Sequence, residues 1–268
     1  MEILQYEFMQ RAFIAGGLLA VTSSVLGVFM VLRREAMIGH GLSHATFAGV
    51  ALGLLMGYEP MLLALLVAAI GAVFMIRLKE DSGLGGDTGI GILSSIGMAL
   101  GVVIATIAGD FNADLLSYLF GSILTIQPHE VIISGFLAAF TIGLFCWFYQ
   151  DLIYITFDKE CAKASGISAH RLEVILGIIT AVTVVVGMRI VGLLLVTALM
   201  VIPGASALLI SKSVKSAILL SVLIGVTTVI LGLIVSYYLN FPASGSIVIL
   251  EGIVLGGALV EHNYSRIG

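Results

Sequence analysis

The stretch Ala217-Ile-Leu-Leu-Ser-Val-Leu-Ile-Gly-Val-Thr-Thr-Val-Ile-Leu-Gly-Leu-Ile-Val-Ser-Tyr-Tyr238 contains no charged residue. A helix rises about 1.5 Å per residue and a bilayer's hydrocarbon core is about 30 Å thick, so about 20 apolar residues span it. The stretch therefore reads as a membrane span covering 215–238, with Asn240 marking its end. Runs of the same kind lie at 13–32, 38–56, 61–78, 90–109, 131–150, 172–188, 190–210 and 244–260. Turn or charge chemistry separates them: Arg33-Arg34-Glu35, Gly57-Tyr58-Glu59-Pro60, Lys79 to Gly89, Gln127-Pro128-His129-Glu130 and a long polar stretch at 151–171. The sixth and seventh runs are parted only by Gly187-Met188-Arg189.

Composition agrees with this pattern. Of the 268 residues, 60% are apolar and 10% charged, whereas soluble domains carry about 25% charged residues. Mean hydropathy is +1.18. These values exclude a soluble globular enzyme and a disordered chain. Twelve basic residues against sixteen acidic ones leave no cationic surface for nucleic acid. Cys146 and Cys161 make no disulfide framework. The expected fold is an all-α integral membrane protein, a bundle of about nine transmembrane helices forming a single transmembrane domain over 1–268. The first run lacks a basic flank and a small-residue cleavage site, so it reads as a span and not a signal peptide.

The positive-inside rule orients the bundle. With the N-terminus outside and the C-terminus inside, ten of the twelve basic residues fall on the inner side, from Arg33 and Arg34 to Arg266. Only Arg11 and Arg189 fall outside, among Glu2, Glu7, Glu59, Asp110, Asp114 and Glu130. The acidic outer side would concentrate cations. Segment 111–126 is apolar but short, and a full crossing there would destroy the charge bias. It is expected to form a short outer helix near 113–124. Glycines at four-residue spacing, Gly49/Gly53/Gly57, Gly97/Gly101 and Gly252/Gly256, predict close helix packing. Pro203 predicts a kink in the seventh span.

Ionisable groups are costly inside a membrane, so each is a functional candidate. His40 and His44 are four apart in the second span, which puts both imidazoles on one helical face. Such a pair suits a borderline-soft divalent ion, zinc above all, with further ligands from other helices or water, or else forms a hydrogen-bonded core or helix-end pair near the inner surface. Gly41 stands where a metalloprotease would carry its glutamate, so hydrolysis lacks a general base. Glu251 lies inside the ninth span as a ligand, a relay, or a partner for Arg189 or a backbone group. Asp110, Asn112 and Asp114 offer oxygen ligands at the outer end of the fourth span, or simply a solvated cap. The glycine-rich loop 83–89 lacks the lysine and hydroxyl of a phosphate loop, so any ATP chemistry must come from another chain. In the inner stretch, Asp158 can cap a short charged helix that Gly166 ends.

Several blocks together resemble one family. The run Gly39-x-x-Leu42-Ser43-His44-Ala45 followed by Gly49-Val50-Ala51 is similar to the motif of zinc- and manganese-type ABC transporter permeases. Asp114-Leu-Leu-Ser-Tyr-Leu-Phe-Gly-Ser122, Asp158 through Ala162 to Gly166-Ile167, Val191 through Pro203, and Pro242-Ala-Ser-Gly245 agree with it. The resemblance implies a paired permease driven by two cytosolic ATP-binding subunits and supplied by an extracytoplasmic metal-binding protein. It implies no permanently bound cofactor, with Zn2+ or Mn2+ as transported substrate, and no enzyme activity in this chain. It makes His44 a metal contact, the 114–122 block an outer helix, and Asp158, Ala162 and Gly166 the ATPase-coupling segment within 151–171. The family usually has Asp at the position of His40. Imidazole there tilts the expected preference from manganese toward zinc.

Overall fold

The structure, a computed structural model, describes residues 5–81, 87–107, 118, 121 and 126–267. Among them are eleven helices and no strand. In chain order these are α1 (Glu7–Leu32), α2 (Ile38–Met56), α3 (Pro60–Asp81), α4 (Asp87–Ile107), α5 (Pro128–Trp147), α6 (Tyr149–Phe157), α7 (Lys159–Ala164), α8 (Ala169–Val191), α9 (Leu193–Ile210), α10 (Val214–Leu239) and α11 (Ala243–Ile267). Eight are long and apolar enough to cross a membrane, and α9 is a shorter apolar helix. The chain is an all-α, multi-pass membrane protein.

The helices sort by where their apolar surface goes. α1 and α8 are mostly enclosed by other helices, while α3, α4 and α11 bury only a minority of their most apolar stretch. Ile70, Phe136 and Leu219 are among the large apolar side chains left exposed. Lipid is the solvent that makes such a surface stable. α2 lies between α3 and α4, and α9 packs against α1, α10 and α11.

Glycine sets the closest approaches. A Cβ on Gly49 would stand 2.6 Å from the Ala64 Cα, and one on Gly53 would stand 2.5 Å from the Pro60 Cα. These pairings run α3 antiparallel to α2. Gly41 meets Ile90, Gly97 meets Ala45 and Gly101 meets Phe47 and Ala48, so α4 runs parallel to α2. Gly252 and Gly256 differ from the expectation: nothing lies within 4 Å of a Cβ on either. Gly57 serves as a left-handed helix cap at φ 68° and not as a packing contact.

The break between the sixth and seventh spans falls at Gly192 and not at Gly187-Met188-Arg189. Gly192 adopts φ 88°, a conformation open to glycine, between α8 and α9. Gly187 is helical and closely packed by α9: a Cβ there would be 2.5 Å from Val196 Cγ2. α9 continues through Pro203 as one helix.

Ion pairs mark the two faces. Arg33, Lys159 and Glu173 meet at one end of the bundle. Glu59, Glu130 and Arg189 meet at the other, with the Arg189–Glu59 pair at 3.6 Å. Because α4 parallels α2, its C-terminus lies on the face where α3 begins, and Glu130 places the start of α5 there too. Ile107 and Gln127 thus lie on one face, in keeping with the nine-span count. The short helix expected near 113–124 lies outside the described residues, apart from Tyr118 and Gly121.

Candidate functional site on the second helix

The start of α2 is pressed between two neighbours. A Cβ on Gly39 would stand 3.2 Å from Met200 Sδ of α9, and one on Gly41 would stand 3.0 Å from Ile90 Cγ2 of α4. Small residues on these sides leave the bulk of the turn to its two histidines. Neighbouring hydroxyls bond their own helix: Ser43 Oγ donates to the Gly39 carbonyl at 2.8 Å and Thr46 Oγ1 to the Leu42 carbonyl at 2.7 Å. That leaves the imidazoles as the polar groups free to face a ligand.

His40 and His44 are both half-buried. Their rings stand edge to face, 4.5 Å between centroids and 85° apart in plane. The two Nε2 atoms face each other at 3.1 Å. Two Zn–N bonds of about 2.0–2.1 Å at a tetrahedral angle separate the nitrogens by about 3.3 Å. The pair is therefore set close to the bite one divalent ion requires. With no ion, one Nε2–H donates to the other ring. His44 Nδ1 is buried and has no hydrogen-bond partner, whereas a metal-ligating histidine usually donates its second ring N–H. Among the described residues no group of three or more His, Cys, Asp or Glu side chains comes together. The site is a two-imidazole face.

Glu251 is fully buried on α11, and neither carboxylate oxygen has a hydrogen-bond partner. It does not join the histidines; α9, which packs against both α2 and α11, lies between their helices. Nor does it pair with Arg189, which is held by Glu130 and Glu59. The Glu130 side chain is 3% exposed, and it also accepts the Gln127 N–H at 2.8 Å to cap α5. Asp110 and Asp114 lie outside the described residues.

The segment singled out in the polar stretch folds as its sequence suggested. Asp158 caps α7, its carboxylate accepting the Cys161 N–H at 2.9 Å. A hydrogen bond with the Cys161 thiol, and after it the backbone one, holds the Asp158 carboxyl below its ordinary value, and the same carboxylate pushes the Cys161 thiol up. Ala162 is buried. Gly166 takes φ 84°, which turns the chain out of the helix.

Sequence reasoning passed over Glu173, Arg33 and Glu35. Arg33 Nη2 donates to Glu173 Oε1 at 2.6 Å, and Arg33 Nε donates to Glu35 Oε2 at 2.9 Å. Arg33 and Glu173 are 140 positions apart, so no local pattern pairs them. The available signal was a carboxylate one residue inside an apolar run, Glu173 in 172–188.

Comparisons with known proteins extend this picture. Residues 5–261 match the model of the ABC 3 transport family. The high-affinity zinc uptake system membrane protein ZnuB of Haemophilus influenzae is 32% identical over 244 residues, 91% of this chain and 94% of that protein. The manganese import system permease protein ScaB of Streptococcus gordonii is 32% identical over 252 residues, 93% of this chain and 89% of that protein. The solved structure of PsaBC from Streptococcus pneumoniae in complex with Fab superposes with a TM-score of 0.82 at 32% identity, covering 96% of this chain and 92% of that one. A family match along almost the whole chain, on a bundle of this architecture, makes it a member of the ABC 3 transport family, a membrane permease of the metal-ion ABC transporter type.

Proposed function

We propose that this chain is the membrane subunit of an ATP-driven importer that carries a divalent transition-metal ion, zinc in preference to manganese, into the cytoplasm. The observation that carries the reading is the facing of His40 Nε2 and His44 Nε2 at 3.1 Å on a helix inside the bundle. Two imidazoles favour zinc over the harder manganese ion, which prefers oxygen. Two protein ligands also suit transport, since a closed four-ligand cage would hold the ion too tightly to release it. The permease acts as a pair of identical subunits. An extracytoplasmic metal-binding protein docks on the outer face and delivers the ion to the histidines. ATP-binding subunits dock at 151–171, where Asp158 and Gly166 bound the helix α7 and buried Ala162 seats it on the bundle. ATP turnover rocks the bundle, and the ion leaves inward.

The test is a purification from a mild detergent at native expression, followed by zinc uptake into vesicles. A stoichiometric cytosolic ATPase and ATP-dependent uptake are the expected results. A chain that stays alone across several detergents, with uptake that persists without any ATPase, would overturn the reading.

A second reading has its own observation, the buried carboxylate of Glu251 with both oxygens unpartnered. In a secondary metal-cation transporter it would relay a proton against the cation. ATPase-independent uptake abolished by Glu251→Gln would favour that reading.

A further inference from the structure

Four charged side chains link the short helix α7 to the helix that carries the histidines. Lys159, the first residue of α7, donates from Nζ to Glu173 Oε2 at 2.7 Å. The other oxygen of that carboxylate accepts Arg33 Nη2 at 2.6 Å. Arg33 in turn binds Glu35 through Nε at 2.9 Å and through Nη2 at 3.3 Å. The Glu35 carbonyl accepts the Ile38 N–H at 3.0 Å, which begins α2. His40 follows two residues later.

The chain of bonds is built to carry force. The Arg33 and Glu173 side chains are each 6% exposed, so these pairs are shielded from the water that weakens surface ion pairs. Burial opposes the Arg33 charge, but the hydrogen bonds and charges of Glu35 and Glu173 outweigh it and hold the guanidinium's pKa above its ordinary value. Among the described residues two cations meet two anions. Coupling across a protein needs an element with two discrete arrangements, and two features permit a second one here. A cavity of about 50 Å³ lies alongside Arg33, Glu35 and Glu173. Arg33 Nη1 is buried without a hydrogen-bond partner, a donor in reserve for a rearranged carboxylate.

We propose that Glu173 is a positioning residue that ties movement of α7 to the α1–α2 turn and thereby orients the His40–His44 face. The proposal rests on the importer reading above, in which α7 is where the ATPase docks. In it, Glu173 touches neither the ion nor ATP; it converts displacement of Lys159 into displacement of Glu35.

The experiment uses the whole transporter, permease with ATPase subunits and zinc-loaded binding protein, reconstituted in vesicles. Zinc imported and ATP hydrolysed are measured in the same sample. Lys159→Met cuts the link at its most exposed member and leaves the Arg33–Glu173 pair in place, so it folds even where Glu173→Gln does not. Lys159→Met lowers zinc imported per ATP by on the order of fivefold, the scale of a modest coupling free energy, while the ATPase still co-purifies. Lys159→Arg, which can renew the ion pair, restores the ratio. An unchanged ratio in Lys159→Met would overturn the relay, as would loss of the ATPase itself, which would make Lys159 a docking contact. A wild-type transporter with no ATP-dependent uptake would instead overturn the importer reading on which the relay stands.

Discussion

Gly97 of α4 lies against the backbone of His44 on α2: a Cβ at that position would stand 2.9 Å from the His44 carbonyl carbon and 2.8 Å from the Ala45 nitrogen. The glycine spacing that sequence alone reads as packing thus sits directly behind His44. Gly97→Ala must push α4 off α2, at about 1–3 kcal/mol for overpacking. The variant should insert in the membrane, melt at a lower temperature in detergent and lose zinc uptake. Gly91, with nothing within 4 Å of its Cβ, is the control, and Gly91→Ala should leave uptake intact.

The histidine pair makes two separable demands. His44→Ala removes one of two imidazoles and should cut zinc uptake by about tenfold or more, since even indirect supports of a metal site matter on that scale. His40→Asp substitutes a hard carboxylate and should keep transport while moving preference toward manganese. Uptake of both ions into vesicles at matched permease levels decides it. Normal zinc uptake in His44→Ala would remove the pair from the path.

Cys161 reports on α7, the proposed docking helix. Its exposed thiol is held above its ordinary pKa, first by the hydrogen bond with Asp158 and then by that residue's charge. At neutral pH the reactive thiolate is therefore scarcer than in an ordinary cysteine. Asp158→Ala should speed iodoacetamide labelling of Cys161 at pH 8, and labelling of the wild type should rise further with pH. The Asp158 carboxyl is held below its ordinary value, so its stabilising cap is present at neutral pH and is lost only in acid, as pH falls through that lowered value. Bound ATPase should protect Cys161 from the reagent.

At the opposite face, Arg189→Ala would leave the Glu130 carboxylate buried without its cation. Removing one partner of a buried pair costs about 3–5 kcal/mol. The variant should therefore melt several degrees lower in detergent. Glu130→Gln should be milder, because the amide oxygen can still accept the Gln127 N–H that caps α5. Equal melting temperatures for wild type and Arg189→Ala would show that the pair contributes nothing.

How much was legible in the sequence depended on the range of the interaction. Span lengths follow from the thickness of the bilayer, so the apolar runs and their separators marked most helix ends within three residues, although α1 starts six residues before 13 and α11 runs seven past 260. The capped helix at 158–166 and the shared face of His40 and His44 are set within one or two turns, and the chain's local order contains them. Gly192 escaped because three other residues nearby also read as a break, whereas in the fold Gly187 stays within α8, closely packed by Val196. Burial of Glu251 away from the histidines, capture of Arg189 by Glu130, and the Lys159–Glu173–Arg33–Glu35 chain were decided by tertiary structure. Helical period and hydropathy fix which residues a segment presents and how long it is. They do not fix which distant segment it meets, because that choice is made by side-chain packing and charge pairing between helices far apart in the chain.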